Sequence, residues 1–109
     1  DMLSQVFHNL LLNAKQATET NDSALIIVQL QTENDKVKIQ IQDNGVGIAS
    51  EQQEQIFTPY FTTKSSGSGI GLSVVKQIIE KHNGKVRFKS ALGEGTTFFI
   101  ELNLARNRA

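Results

Sequence analysis

A carboxylate, a pair of carboxamides and three clusters of glycine carry most of the chemistry this sequence can offer. Val37, Ile39 and Ile41 alternate with Lys36, Lys38, Gln40 and Gln42, the period-two pattern of a half-buried strand. Asp43 continues the inward series, just before the glycine-broken stretch Asn44-Gly45-Val46-Gly47. An ionised carboxylate on a core face is costly unless it meets donors, so a ligand N–H or a structural partner should meet it. Asn9 and Asn13 lie four apart, on one edge of a helix, and Gln16 follows on the same side. Asparagine is a mediocre helix former, and two solvated side chains are the plainer reading of that pair taken alone. Of the eight glycines, all but Gly84 fall in three groups: Gly45 and Gly47; Gly67, Gly69 and Gly71; Gly93 and Gly95. The middle group runs straight into a helical pattern, so its free N–H groups and the positive helix end suit an anion. No Lys-Ser/Thr pair follows Gly71 and no strand precedes the group, which excludes the common phosphate-loop and dinucleotide fingerprints. Alone it reads equally as a flexible linker. With the inward acid and the asparagine edge it offers an acid for a base-edge donor, carboxamides for a metal or phosphate, and amides for a phosphate chain.

Other chemistries are ruled out or disfavoured. There is no cysteine, hence no disulfide, thiolate metal site or thiol nucleophile. His8 lies on the asparagine helix and His82 in the last turn of another; a lone helical histidine is usually structural or surface, so neither is read as a phosphate acceptor. Eleven basic and eleven acidic residues cancel without a run of like charge, which argues against nucleic acid or a membrane surface as charge-driven partner. No apolar run reaches the length of a membrane span and no signal peptide opens the chain. The 109 residues suffice for one domain with one core, and a start already on a helical pattern points to a piece of something longer.

The elements that must position these groups follow from periodicity. Asp1 caps a helix with Leu3, Val6, Phe7, Leu10, Ala14 and Ala17 on its buried stripe. Thr20 to Ser23 break it, and residues 24–30 form a strand with Ile26, Val28 and Leu30 on one face. Glu33 to Lys36 is a hairpin connection into the antiparallel strand 37–43. Residues 49–57 read as a short polar helix anchored by Ile56 and Phe57, and residues 58–71 as a long functional loop. A second helix from Ile70 or Gly71 buries Leu72, Val75, Ile78 and Ile79 and ends at Asn83-Gly84. Val86, Phe88 and Ser90 mark a third strand, and Phe98, Ile100, Leu102 and Leu104 a fourth, with a frayed tail over 105–109. Helix, strand, strand, loop, helix, strand, strand gives an α/β protein, a two-layer α/β sandwich with helices on one face of the sheet.

Five stretches, in order, resemble one family. Asn9 to Ala14, Asp43 to Ile48, Ile56 to Lys64, Gly67 to Leu72 and Gly93 to Thr96 are similar to the asparagine box, first glycine box, phenylalanine box and two later glycine boxes of histidine-kinase catalytic ATP-binding domains. These belong to the gyrase, chaperone, histidine kinase and MutL superfamily with the Bergerat fold, whose sheet is mixed but mostly antiparallel and carries a long ATP lid. The resemblance spans nearly all of residues 1–109 and is nearest to the nitrogen-regulator type of sensor kinase.

The resemblance implies ATP and Mg²⁺ as cofactors. Asp43 would receive the exocyclic amino group of adenine, with Gly45, Gly47, Ile48 and Thr96 around the base. Asn13 would be the Mg²⁺ ligand, an oxygen donor as that hard cation prefers, with Asn9 beside it. Gly67, Ser68, Gly69, Ile70, Gly71 and Leu72 would form the phosphate-cradling turn, and Phe57, Phe61 and Lys64 the lid. Core packing is an equal reading for Phe57, Tyr60 and Phe61. The catalytic set implied is Asn9, Asn13 and Lys64. Two departures stand out. Hydrolysing members of the superfamily carry a glutamate base where this chain has Asn9, so water attack should be poor and transfer to a protein group favoured. Many sensor kinases have Lys and Tyr where this chain has Gln16 and Ala17, with Lys15 one position early; these three are kept as candidates for phosphate and adenine contact.

The implied function is transfer of the γ-phosphate of ATP to a histidine on a separate helical dimerisation domain, which residues 1–109 lack, in two-component signalling. The implied partners are that phosphoacceptor domain and a response-regulator receiver domain, within a homodimeric parent. The setting is cytoplasmic, whether or not the parent is membrane-anchored, with no membrane contact by this domain and no nucleic acid. Two alternatives are a serine kinase of the anti-sigma-factor type, whose lid is usually shorter and lacks the phenylalanine box, and a non-catalytic nucleotide-sensing interaction module.

Overall fold

The computed structural model describes residues 2–58 and 71–103. The expectations for Asp1, for residues 59–70 of the loop and for Leu104 with the tail lie outside the described residues. The element order is α1 (Met2–Ala17), β1 (Ile26–Glu33), β2 (Lys36–Asp43), a 3-10 helix (Ser50–Gln55), α2 (Gly71–Lys81), β3 (Lys85–Ala91) and β4 (Gly95–Asn103). The strands form one sheet in the order β1-β2-β4-β3, and the expected mostly antiparallel pairing is antiparallel at every pair described.

α1 buries Val6, Leu10, Ala14 and Ala17, four of the six apolar positions read from its spacing. It stops where the Thr18 hydroxyl turns back to the carbonyls of Ala14 (3.0 Å) and Lys15 (3.1 Å), satisfying groups the helix leaves orphaned. The hairpin between β1 and β2 turns on Asn34 and Asp35, both left-handed at φ 51° and 68°, the pairing a two-residue type I′ turn needs. α2 ends as its sequence indicates, with one shift of detail. The left-handed residue is Asn83 (φ 59°), and the Gly84 N–H closes the turn on the Ile79 carbonyl at 2.9 Å. The His82 Nδ1 lies 2.8 Å from the Ile78 carbonyl, which only accepts, so that nitrogen carries the hydrogen and the ring is part of the helix end.

The expected helix over residues 49–57 is a 3-10 helix, too short and too polar to bury a face; Ile56, just beyond it, is the buried anchor. β1 differs more. It starts later and ends later than its pattern indicates, and Val28 and Leu30 on its apolar face are 52% and 66% exposed. It is the edge strand on the side the helices leave uncovered: α1 and α2 pack over β2 and β3, the latter being the opposite edge.

Register sorts the inward face of the sheet into rows. Leu30, Ile39, Ile100 and Val86 make one row and Val28, Ile41, Phe98 and Phe88 the next. The core gathers on these rows under Val6, Leu10, Val75, Ile78 and Ile79. Ile79 is fully buried, so Ile79→Val removes one methylene from a packed site. The expected cost is about 1 kcal/mol, a fall in melting temperature of roughly 4–8 °C by calorimetry.

The outward face carries Lys36, Lys38, Lys85, Arg87 and Lys89. Arg87 stacks over the Phe99 ring at 4.4 Å, and Glu101 pairs with Lys36 at 3.1 Å. That hydrogen bond holds the Glu101 carboxyl below its ordinary value, against desolvation, which raises it, and with help from the charges of Lys36, Lys85 and Lys38.

Candidate nucleotide site

One row of the inward face is different. Ile26, Asp43, Thr96 and Ser90 are paired across all four strands, and three of the four are polar where the neighbouring rows are apolar. Asp43 and Thr96 are buried, at 5% and 4% exposure. The row lies at the end of the sheet where β2 finishes and β4 begins, so the chain leaves the strands here through glycine-bearing turns.

Asp43 does find a donor in its own chain. One carboxylate oxygen accepts the Gly45 N–H at 2.8 Å, a local turn that draws the loop back under the strand end. A carboxylate has lone pairs for several donors, so this bond orients the group without exhausting it. The loop then reaches α1, with Val46 N–H bonded to the Ala17 carbonyl at 3.0 Å. Gly45 has to be glycine at this approach, because a Cβ there would strike the Ala17 carbonyl. Gly95 has two reasons: φ is +112°, and a Cβ would strike the Asp43 carbonyl. These glycines bring three backbones together around the acid.

Asn44, beside the acid, is committed to structure. Its side chain accepts from Leu25 N–H (2.8 Å) and donates to the Ser23 carbonyl (3.0 Å), while its own carbonyl accepts from the Asn21 side chain (2.9 Å). These bonds clamp the segment after α1 to the end of β2.

On the helical side, Asn9, Asn13 and Gln16 are all half-buried, as a shared edge requires. The Asn9 amide donates to the Gly71 carbonyl at 3.4 Å, bringing the asparagine edge to the first turn of α2. The positive end of an eleven-residue helix therefore lies beside it. Ala17 is buried, Lys15 is exposed, and Gly47, Ile48, Gly71 and Leu72 are half-buried. Phe57 packs edge-on against Phe88 and Phe98, at 5.9 and 6.4 Å between centroids, with the Lys76 ammonium 5.6 Å above its ring. The core packing that the sequence left open for Phe57 is what its ring does. Phe61, Lys64, Gly67, Ser68, Gly69 and Ile70 lie outside the described residues. A groove of about 220 Å³ opens on the opposite sheet face, between residues such as Gln40, Arg87 and Phe99, away from this row.

Two participants are missing from the sequence reading. Ser90 accepts the Ile48 N–H (2.8 Å), donates to the Gly95 carbonyl (3.1 Å) and touches the Thr96 hydroxyl (2.8 Å). The Gln53 amide donates to the carbonyls of Ile48 (2.9 Å) and Ser90 (3.2 Å), tying the 3-10 helix to both. The signal for Ser90 is the one that marks Asp43, a polar side chain continuing an inward apolar series. Gln53 has no such signal, because its 3-10 helix lacks periodicity.

Comparison with known proteins agrees with this geometry. Residues 1–106 match the family described as histidine kinase-, DNA gyrase B- and HSP90-like ATPase. The sensor histidine kinase ZraS of Escherichia coli (strain K12) is 44% identical over 108 residues, 97% of this chain and 23% of ZraS. The signal transduction histidine-protein kinase AtoS of the same strain is 41% identical over 102 residues, 94% of this chain and 17% of AtoS. The chain thus spans less than a quarter of the length of each of these two relatives. Among solved structures, the mycobacterial sensor histidine kinase MprB superposes with a TM-score of 0.81 at 28% identity, over 94% of this chain and 72% of that one. The catalytic domain of histidine kinase ThkA superposes with a TM-score of 0.80 at 35% identity, over 94% and 66%. By its match over residues 1–106 and its identity to these kinases, the chain belongs to the histidine kinase-, DNA gyrase B- and HSP90-like ATPase family, as a catalytic domain of the sensor histidine kinase kind.

Proposed function

We propose that this domain binds ATP with Mg²⁺ and presents the γ-phosphate to a histidine on a separate helical domain of its parent kinase, whose phosphoryl group then passes to a receiver domain. The observation that carries the reading is the buried Asp43 in a polar row on an otherwise apolar face. Asp43 accepts the adenine amino group, Thr96 lies next to it, and the open end of α2 faces the phosphates. Among the described residues no group of three His, Asp or Glu could hold a metal by itself. A divalent ion here would rest on the Asn13 oxygen and take its other ligands from phosphates and water, as Mg²⁺ commonly does. When bound, Mg²⁺ neutralises charge developing on the phosphates. Asn9 supplies no base for water, so hydrolysis stays slow and the acceptor is a protein side chain. In the transfer the bond from the γ-phosphorus to ADP breaks, a bond to an imidazole nitrogen forms, and ADP leaves.

The test mixes the domain with radiolabelled ATP, Mg²⁺ and a purified helical acceptor domain from a sensor kinase of this type. Label that is stable to alkali and lost in acid, and that is absent when the acceptor histidine is replaced, supports the reading. Acid-stable label identifies a serine kinase, and no calorimetric ATP binding at all removes the nucleotide assignment. Rapid release of phosphate from ATP by the domain alone would count equally against it.

A further inference from the structure

We infer that Ser90, oriented by Gln53, sets the polarity of the Thr96 hydroxyl and so makes this pocket discriminate a 6-amino purine from a 6-oxo purine. This rests on the nucleotide reading above and specifies how the base is chosen.

Counting hydrogens fixes the direction of each bond. Ser90 Oγ has one hydrogen and two lone pairs. It makes three contacts: the Ile48 N–H at 2.8 Å, the Gly95 carbonyl at 3.1 Å and the Thr96 Oγ1 at 2.8 Å. The Ile48 amide is a donor, so it occupies one lone pair. The Gly95 carbonyl has no hydrogen to give, so the serine hydrogen must lie on that contact. The remaining contact is then a lone pair of Ser90, and Thr96 must be the donor. Only this arrangement satisfies all three. It uses the one hydrogen of Thr96, so the threonine oxygen offers lone pairs alone.

Thr96 is the direct cross-strand partner of Asp43, on the same face. Side chains so paired stand about 4.5–5.5 Å apart at Cβ. Two acceptors therefore lie side by side at the buried end of the sheet. They complement a group carrying two hydrogens, such as an exocyclic amine, directly or through a bridging water. A carbonyl at the same place would face acceptor on acceptor, which leaves buried polar atoms unpaired. Gln53 supports the arrangement at its base. By donating to the carbonyls of both Ile48 and Ser90, it fixes the separation of the loop and β3 that the Ile48 to Ser90 bond requires. Ser90 and Gln53 are positioning residues acting through Thr96.

ATP and ITP differ at position 6 of the purine, with the accompanying proton on N1, and are otherwise alike. Their dissociation constants are measured by calorimetry with the intact domain and Mg²⁺. Wild type should prefer ATP by at least about tenfold. Ser90→Ala frees the Thr96 hydrogen to point into the pocket and donate to a 6-oxo group, so the preference should fall by about five- to tenfold. Ser90→Thr keeps a hydroxyl and should restore most of it. In a Thr96→Ala background, Ser90→Ala should leave the ratio unchanged, because the relay has lost its last member. Loosening of the fold would weaken both nucleotides in parallel and leave the ratio alone. Should Ser90→Ala fail to fold, Ser90→Cys, a weaker acceptor of nearly the same shape, must lower the ratio in the same direction. An unchanged ratio in the folded single variant, or an equal change without Thr96, overturns the inference. Failure of wild type to bind either nucleotide overturns the site assignment instead.

Discussion

Asp43→Asn should reduce ATP affinity by roughly 30- to 1000-fold, equivalent to about 2–4 kcal/mol, while the domain stays folded. The two effects separate because the proposed nucleotide contact is distinct from the bond that Asp43 makes to its own loop. One carboxylate oxygen anchors the loop through the Gly45 N–H at 2.8 Å, and the amide keeps an oxygen for that bond. What is lost is the charge and the second acceptor. The new NH₂ can only donate, and at a site 5% exposed it has little access to water. Facing the hydrogens of an adenine amine, it turns an attraction into donor against donor. Titration with a non-hydrolysable ATP analogue gives the affinity and a thermal melt gives the stability. Affinity within threefold of wild type, with an unchanged melt, would mean that the acid serves the loop alone.

This separation shows how far the site was legible in the sequence. Asp43 could be found because strands have a strict period of two: with Val37, Ile39 and Ile41 facing inward, the next odd residue must follow them. Asn9, Asn13 and Gln16 were legible for the equivalent helical reason, and all three are half-buried along one edge. The fold class, with helices on one face of the sheet, follows from the order of elements that these two periods define, while the antiparallel pairing follows from the hairpin between β1 and β2 and from the family resemblance. What could not be read is what depends on neighbours distant in sequence. The pairing of β2 with β4 brings Thr96 to Asp43 and that of β3 with β4 brings Ser90 to Thr96; no local pattern in these strands announces either, and only the family resemblance set Thr96 near Asp43. The exposure of β1 is likewise a property of where the helices lie, over β2 and β3 and not over this edge, because Ile26, Val28 and Leu30 alternate as a covered strand would. Glycine groups show the same limit. Their clustering suggested room for phosphate, and for Gly45 and Gly95 the room is also filled by the carbonyls of Ala17 and Asp43. A missing side chain says that something comes close, and only the fold says what.

Asn13→Ala should abolish the advantage that Mg²⁺ gives to ATP binding and lower phosphotransfer at least about 100-fold. Asn13 lies one helical turn beyond Asn9, whose amide is held at 3.4 Å by the Gly71 carbonyl. The asparagine edge is thereby set against the first turn of α2, where the phosphates of the proposed complex approach. Asn9 uses its amide on the helix start, whereas Asn13 is the carboxamide proposed to give its oxygen to the cation. With no group of three His, Asp or Glu among the described residues to take over, alanine leaves the ion without a protein ligand here. The distinguishing measurement is affinity with and without EDTA. Wild type should bind ATP more tightly with Mg²⁺ than without, and the variant equally under both conditions, at the wild-type Mg²⁺-free value. If the variant instead loses the same factor with and without the ion, Asn13 contacts phosphate or base directly and the metal is held elsewhere. Ala14, which follows it, is 2% exposed and fixes the helix on the core. A truncation at the half-buried position 13 leaves that packing in place, so lost phosphotransfer would report on the site and not on the fold.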